Sequence, residues 1–332
     1  MKKLFALILA GIMCLSLVAC GGNDAPAKDE APADDTAAEE TAATYSVGIC
    51  QLVQHPALDA ATQGFIDALN EALPGQVEFD NQNASGDIPM CSTIVNQFIA
   101  SEVDLILANA TPALQAASAA TADIPILGTS ITEYGVAMGI ENFSGTVGGN
   151  VSGTSDLAPL DQQAAMLNEW FPDAKNVGLI YCSAEANSQY QVDVVKAELE
   201  AMGYTATLYS FSDSNDLAAV TETAVAESDV IYVPTDNTVA ANVGIIDNIC
   251  QPAGIPVIAG EEGICGGCGV ATLSISYYDL GVATGKMAAK ILTGEADIST
   301  MPVEYAPATP KFNPTICDAL GLTAPEGYVA IG

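Results

Sequence analysis

Arginine is absent from the 332 residues, and the eight basic residues are all lysines. A ligand carboxylate therefore cannot be gripped by the bidentate guanidinium fork that usually holds such groups. Hydroxyls and the backbone N–H groups at helix N-termini must hold it instead. Against the few lysines stand 41 acidic residues, giving a formal charge of −33. Such a field repels phosphate backbones and anionic lipid headgroups, so nucleic acid is excluded as a partner. Small neutral, zwitterionic or cationic solutes are favoured.

Histidine occurs once, as His55 in the stretch QLVQHPALDA from Gln51 to Ala60. With one imidazole no clustered His/Cys ligand set can be written, so no metal and no cofactor is expected. A Ser/His/Asp triad would have to be built on His55, and no Gly-x-Ser-x-Gly string positions a nucleophile for it. No catalytic residue is assigned. Tryptophan also occurs once, and Trp170 stands at a helix end where packing explains it. Nine cysteines are present. Setting aside Cys14 and Cys20 leaves an odd number at irregular spacing, which is not a disulfide framework. Cys50, Cys182 and Cys250 end apolar segments and read as small buried hydrophobes. Cys265 and Cys268, in a Gly-rich turn, are either a reversible disulfide or two free thiols.

Long apolar runs are equally scarce. The run Leu4 to Val18 follows Lys2 and Lys3 and is shorter than the roughly 20 residues of a spanning helix; with small residues after it, it reads as a signal peptide over residues 1–19. Leu17-Val18-Ala19-Cys20 resembles the lipobox of bacterial lipoproteins, which implies that Cys20 is lipidated and becomes the mature N-terminus. Cleavage there removes two lysines, leaving 41 acidic residues against 6 lysines, a charge of −35. Residues 21–44 are built mainly from Ala, Pro, Asp, Glu and Thr without aromatic or large aliphatic residues, too polar to fold. As a flexible coil this tether spans roughly 25 to 30 Å.

From Tyr45 onward, short apolar runs alternate with longer amphipathic segments, the grammar of βαβ units and parallel sheets. The length exceeds what one core supports. Strands are expected at 45–51, 76–80, 104–108 and 124–128, with helices between them, then a Gly-rich stretch at 145–153. A second series repeats the pattern, with a helix at 157–170 and strands at 177–181, 205–209, 230–233, 256–259 and 270–275. A single helix is expected at 239–250. The small residues of the helix around 281–291 predict tight packing.

Two α/β lobes of this kind put the C-terminal ends of their strands across a cleft, where ligands bind. The first lobe's loops there carry Gln54 and His55, then Thr111 as a helix N-cap, then Thr129 and Ser130. They are rich in hydroxyls and fit a carboxylate cradle. The second lobe's loops carry Ser183, Glu185 and Asn187, then Asp236 and Asn237, then Glu261 and Glu262. Their carboxylates fit an ammonium group. The polarity suits an α-amino acid, acid end toward the first lobe. Tyr277 stands at an expected crossing beside the cleft, and Tyr134 and Phe143 are weaker wall candidates.

The strings His55-Pro56, Ala110-Thr111-Pro112, Gly149 to Asp156, Ser183-Ala-Glu-Ala-Asn-Ser188, Val233-Pro-Thr-Asp-Asn-Thr238 and Glu261-Glu-Gly263 resemble one family. It is the substrate-binding lipoproteins of ABC transporters with the type I periplasmic-binding-protein fold, in the branch associated with tryptophan, tyrosine and phenylalanine. The resemblance covers residues 44–321. It implies two Rossmann-like lobes with parallel sheets joined by three hinge crossings, near 150–153, 274–277 and 298–303. The lobes would comprise residues 45–150 plus 276–298 and 151–275 plus 299–332. It further implies a monomer anchored only by its lipid to the outer face of the cytoplasmic membrane, delivering an amino acid to ABC permease subunits. The ligand-binding set expected is His55, Gln54, Thr111, Thr129, Ser130, Ser183, Glu185, Asn187, Asp236, Asn237, Glu262 and Tyr277. Two alternatives stand beside it: the same scaffold binding another small metabolite for transport or sensing, and an exported hydrolase.

Overall fold

A computed structural model describes residues 45–332. The expected signal peptide, the lipidated Cys20 and the tether lie outside the described residues.

The N-terminal series is β1 (Tyr45–Gln51), α1 (Pro56–Ala72), β2 (Val77–Asn83), α2 (Ile88–Ala100), β3 (Leu105–Asn109), α3 (Thr111–Ala120), β4 (Ile126–Ile131), α4 (Tyr134–Met138) and β5 (Val151–Ser155). The C-terminal series is α5 (Leu160–Trp170), β6 (Asn176–Cys182), α6 (Ala186–Ala201), β7 (Thr205–Phe211), α7 (Leu217–Glu227), β8 (Val230–Val233), α8 (Asn237–Ala240), α9 (Val243–Ala253), β9 (Val257–Ala259), α10 (Glu262–Cys268) and β10 (Ala271–Ser274). The chain closes with α11 (Tyr277–Leu292), β11 (Glu304–Tyr305), β12 (Thr309–Phe312), α12 (Pro314–Leu320) and β13 (Val329–Ala330).

One sheet has the order β11-β5-β4-β3-β1-β2 and the other β13-β12-β10-β9-β8-β6-β7. Stripped of the last strands, both read 2-1-3-4-5, the same doubly wound order. All pairs are parallel except β10 with β12. Each sheet is covered on both faces, which is why its central strands are continuous apolar runs such as Leu105–Ala108 and Val230–Val233. In this order the strands on either side of β1, and of β6, run off in opposite directions. The switch points therefore fall between β1 and β3 and between β6 and β8, where a crevice opens. His55 follows β1 and Asp236 follows β8.

The chain crosses between sheets after Ser155, between Ser274 and Tyr277, and between Tyr305 and Thr309. The middle crossing lies where the sequence puts it. The first and third lie later than expected, because Val151–Ser155 pairs with β4 and Glu304–Tyr305 with β5. The Gly-rich stretch leads into a strand of the first sheet instead of leaving it, so the first lobe extends to Ser155 and regains the chain through Tyr305. Two helices also differ from expectation. The first helix of the second lobe begins only at Leu160, because Pro159 before it holds φ at −59° with ψ at 112°, outside the helical region. The helix expected at 239–250 is split into α8 and α9 by a turn at Ala241–Asn242.

The tight packing expected of the glycine-rich helix is present. In α11, a Cβ on Gly281 would overlap the Ala61 carbonyl oxygen, and one on Gly285 would stand 2.7 Å from the Phe65 carbonyl oxygen. In α1, a Cβ on Gly64 would overlap the Tyr278 carbonyl oxygen. Small residues thus let the two backbones touch. The consequence for the cleft is direct: His55 precedes α1 and Tyr277 opens α11, so the two rings are mounted on one rigid helix pair.

Candidate functional site

Where the strand ends of the two sheets meet, the lobes enclose a cavity of about 10 Å³, room for about one water molecule and far below the roughly 300–1,000 Å³ usual for small-molecule sites. His55, Leu58, Ser130, Thr132 and Asp156 line it from the first lobe and its first crossing. Asn187, Thr235, Asp236, Asn237, Ala240 and Glu261 line it from the second, and Tyr277 from the middle crossing.

Local backbone explains why these side chains face inward. Ser130 sits in a register shift between β4 and β5 with φ of 56°, a left-handed conformation uncommon for serine. Such a bulge re-aims a side chain out of the sheet. His55 is extended and immediately precedes Pro56, so α1 begins just behind the ring. Its Nε2 lies 3.3 Å from Asn237 Oδ1, a hydrogen bond that joins the lobes across the cleft. Burial lowers its pKa, with the Asn237 bond opposing, so the ring is neutral at physiological pH.

Four polar atoms around this one cavity are buried without a hydrogen-bond partner: His55 Nδ1, Ser130 Oγ, Asp156 Oδ1 and Asn187 Oδ1. An unpaired buried polar group costs about 1–3 kcal/mol, so their convergence marks a place where something else supplies the partners. Asp156 is the most consequential. It is 4% exposed, its Oδ2 accepts a 2.8 Å hydrogen bond from the Tyr277 hydroxyl, and Oδ1 is free. Burial raises its pKa, while the Tyr277 and Thr132 hydroxyls pull it back. Among the described residues no lysine lines the cavity to neutralise it.

The second-lobe carboxylates are differently occupied. Asp236 accepts from Val239 N at 2.9 Å and from Cys182 N at 2.7 Å, capping α8 and tying it to β6. Glu261 caps α10 through Gly263 N, at 2.6 Å, and Ile264 N. Glu185 is buried outside the cavity and accepts from Asn237 N, Asn237 Nδ2, Thr238 N and Thr238 Oγ1. These acids hold the loops that shape the cavity, and their oxygens are already used.

Of the twelve expected ligand-binding residues, the cavity brings together His55, Ser130, Asn187, Asp236, Asn237 and Tyr277. It does not include the others. Gln54, in the bend between β1 and α1, is exposed and does not line the cavity. Ser183 is exposed and donates to the Phe211 carbonyl. Thr129 is buried in the sheet against Thr154, 3.3 Å between hydroxyls. Thr111 is the first residue of α3 and Ala110 its N-cap; the Thr111 hydroxyl is buried without a partner but outside the lining. Glu262 is half-buried and paired with Lys311 at 2.7 Å and with Ser274; its neighbour Glu261 faces the cavity.

Lining residues outside the expected set are Leu58, Thr132, Asp156, Thr235, Ala240 and Glu261, of which Glu261 is read from the sequence as a cleft carboxylate but passed over for its neighbour Glu262. Asp156 ends the string Gly149 to Asp156, and the available signal was its place as the first residue beyond a strand. Reading residues 150–153 as the crossing hid that strand. Tyr134 is core: its hydroxyl donates to the Gly128 and Thr154 carbonyls and its ring stacks on Phe143 at 6.2 Å. Trp170 packs edge-on against Tyr328 at 5.4 Å, away from the cleft. Cys265 and Cys268 are buried free thiols in α10, not in a turn, donating to the Gly269 and Ile264 carbonyls.

The buried acids set a pH dependence of stability. Burial, the largest cause in each case, pushes Asp236 and Glu261 up to about 7 and raises Asp156, against unfolded values near 4. Between those values the folded chain holds protons that the unfolded chain releases, so stability falls as pH rises through the window. His55, lowered by burial, acts oppositely, favouring the folded state as pH rises, but it is one group against three. The ligand-free protein is therefore expected to melt at higher temperature at pH 5 than at pH 8. Calorimetric scans of wild type and Glu261→Gln test this: the variant should show a smaller difference, and a wild-type melt that rises toward pH 8 contradicts the assignment.

Comparison with known proteins follows the same lines. The model of the family described as ABC transporter substrate binding protein matches residues 46–330. A tyrosine-binding protein of Clostridioides difficile is 36% identical over 307 residues, covering 91% of this chain and 87% of its own. The solved structure of a domain from Streptococcus pneumonia in complex with L-Trp superposes with a TM-score of 0.82 at 32% identity, covering 87% of this chain and 100% of that one. A ligand-free, open substrate-binding protein with adhesive properties from Clostridium difficile is 38% identical, with a TM-score of 0.66 over 86% of this chain and 99% of that one. The fit is better to the ligand-bound structure than to the more identical open one. With the His55–Asn237 bond and the small cavity, this describes lobes closed on each other.

Proposed function

The chain belongs to the ABC transporter substrate-binding protein family, and from that premise we propose that it captures an aromatic α-amino acid between its lobes. The observation that carries the reading is the set of unpartnered polar atoms around one cavity, above all Asp156 Oδ1. A buried carboxylate with one free oxygen and no lysine nearby calls for a cationic donor, which an ammonium group supplies. Ser130 Oγ can donate to the ligand's carboxylate, the arginine-free solution that the composition requires. The acid end thus stays on the first lobe, while the amine moves to the crossing after β5. His55, Leu58, Ala240 and the Tyr277 ring are left for the side chain, where imidazole and phenol faces favour an aromatic group. The ligands named for the Clostridioides and Streptococcus relatives, tyrosine and L-Trp, support that choice.

In this reading the protein works outside the cytoplasmic membrane, held by a lipid on Cys20, and delivers its ligand to ABC permease subunits as a monomer. Closure buries the ammonium–carboxylate pair, and reopening at the permease returns both to water.

Titration calorimetry with the twenty amino acids tests the reading. L-Tyr, L-Trp or L-Phe should bind at least 100-fold more tightly than Leu, and His55→Ala should narrow that gap, since it removes a ring from the side-chain wall. Affinity weaker than about 100 μM for every amino acid, a ΔG no better than about −5.5 kcal/mol, contradicts it.

A further inference from the structure

Resting on that reading, we infer that Tyr277 is a positioning residue: its hydroxyl, at the middle crossing, holds the Asp156 carboxylate of the first crossing with one oxygen turned to the ligand's ammonium. The two residues are 121 positions apart in the chain, and their 2.8 Å bond ties together two of the three segments that join the lobes. Both are almost fully buried, Asp156 at 4% and Tyr277 at 7% exposure. Asp156 cannot rotate freely to satisfy Oδ1 elsewhere, because Oδ2 is held from α11. Tyr277 in turn cannot drift, because α11 is locked to α1 at Gly64, Gly281 and Gly285.

The bond makes the hinge and the binding group one unit. A carboxylate that accepts from both Tyr277 and an ammonium group draws the first crossing toward α11, so ligand capture stabilises the closed arrangement of the crossings themselves. Charge-assisted bonds of this kind are roughly twice as strong as neutral ones. The groups facing the pair from neighbouring elements act on it as well. Thr132, beyond β4, and Tyr134 of α4 and Glu261 at the start of α10 stand close enough to Asp156 to act on its charge, and Thr235, beyond β8, stands close enough to act on the Tyr277 hydroxyl. Glu261 opposes ionisation of Asp156, and the two hydroxyls favour it.

Binding needs the ionised carboxylate, so affinity falls as pH drops through the Asp156 pKa of the free protein. Without the Tyr277 hydroxyl, which favours the ionised form, that pKa rises further and the fall begins at higher pH. Tyr277→Phe keeps the ring and its packing and removes only the donor.

The test is calorimetric titration of the full chain with L-tyrosine and L-tryptophan from pH 5 to 8, for wild type, Tyr277→Phe, Asp156→Asn and the double variant. Tyr277→Phe should bind about tenfold more weakly at pH 8, the loss of one hydrogen bond to a charged group, and its acid-side decline should start at a higher pH than that of wild type. In the Asp156→Asn background the same change should cost less than about threefold, because the coupling is gone. Equal losses in both backgrounds, or an unmoved pH profile, overturn the positioning role while leaving the amino-acid reading intact. Wild type that binds neither ligand overturns that reading, and the role with it.

Discussion

Asp156→Asn weakens binding of the aromatic amino acid by at least about 30-fold, and leaves the ligand-free protein as stable as wild type or more so. Both halves follow from one oxygen. With ligand present, Oδ1 is the anionic partner of a buried ammonium group, and removing one member of a desolvated charge pair costs about 2–5 kcal/mol, a factor of roughly 30 to several thousand. With ligand absent, Oδ1 is a buried acceptor without a partner in a site that penalises its charge. A neutral amide of the same shape removes that penalty. Binding function is thus held at the expense of stability, as is common where a site is built before its ligand arrives. Titration calorimetry and thermal unfolding check the two halves on the same sample. Asp236→Asn is the contrast: its two oxygens serve Cys182 N and Val239 N, and an amide keeps only one acceptor, so it should lose about 1 kcal/mol of stability with one of those bonds and much less affinity than Asp156→Asn.

Gly281→Ala lowers stability by about 2–3 kcal/mol, although alanine is the better helix former by about 1 kcal/mol. The added methyl group overlaps a backbone carbonyl oxygen of α1, which cannot swing aside as a side chain can. Helices α1 and α11 must part. Since His55 and Tyr277 are carried at the starts of those helices, affinity falls too. Gly244→Ala supplies the control in a second helix: no atom lies within 4 Å of its new methyl group, so propensity alone should raise stability by up to about 1 kcal/mol. Urea unfolding of both variants checks the opposite signs.

The fold was legible because burial on both faces of parallel sheets writes its strands as apolar runs, and the two halves repeat one pattern. What the runs could not show was the short pairing of Val151–Ser155 with β4 and of Glu304–Tyr305 with β5, which moved two crossings. The site was legible as a set of strand-end loops, and His55, Ser130, Asn187, Asp236, Asn237 and Tyr277 do meet there. Roles were less so. Asp236, Glu185 and Glu261 present themselves in the sequence as free carboxylates, yet the loops fold so that backbone amides occupy them, a matter of local geometry that residue types do not disclose. Between Glu261 and Glu262 the choice rested on which neighbour a helix start turns inward. Asp156 became visible only when the strand before it was.

The most direct measurement is a crystal structure of the protein with L-tyrosine bound. The account predicts the ligand's nitrogen within hydrogen-bonding distance of Asp156 Oδ1, its carboxylate at Ser130 Oγ and its ring against His55 and Tyr277. A ligand whose ammonium group sits on Asp236 or Glu261 instead, with Asp156 Oδ1 still unpaired, would contradict it.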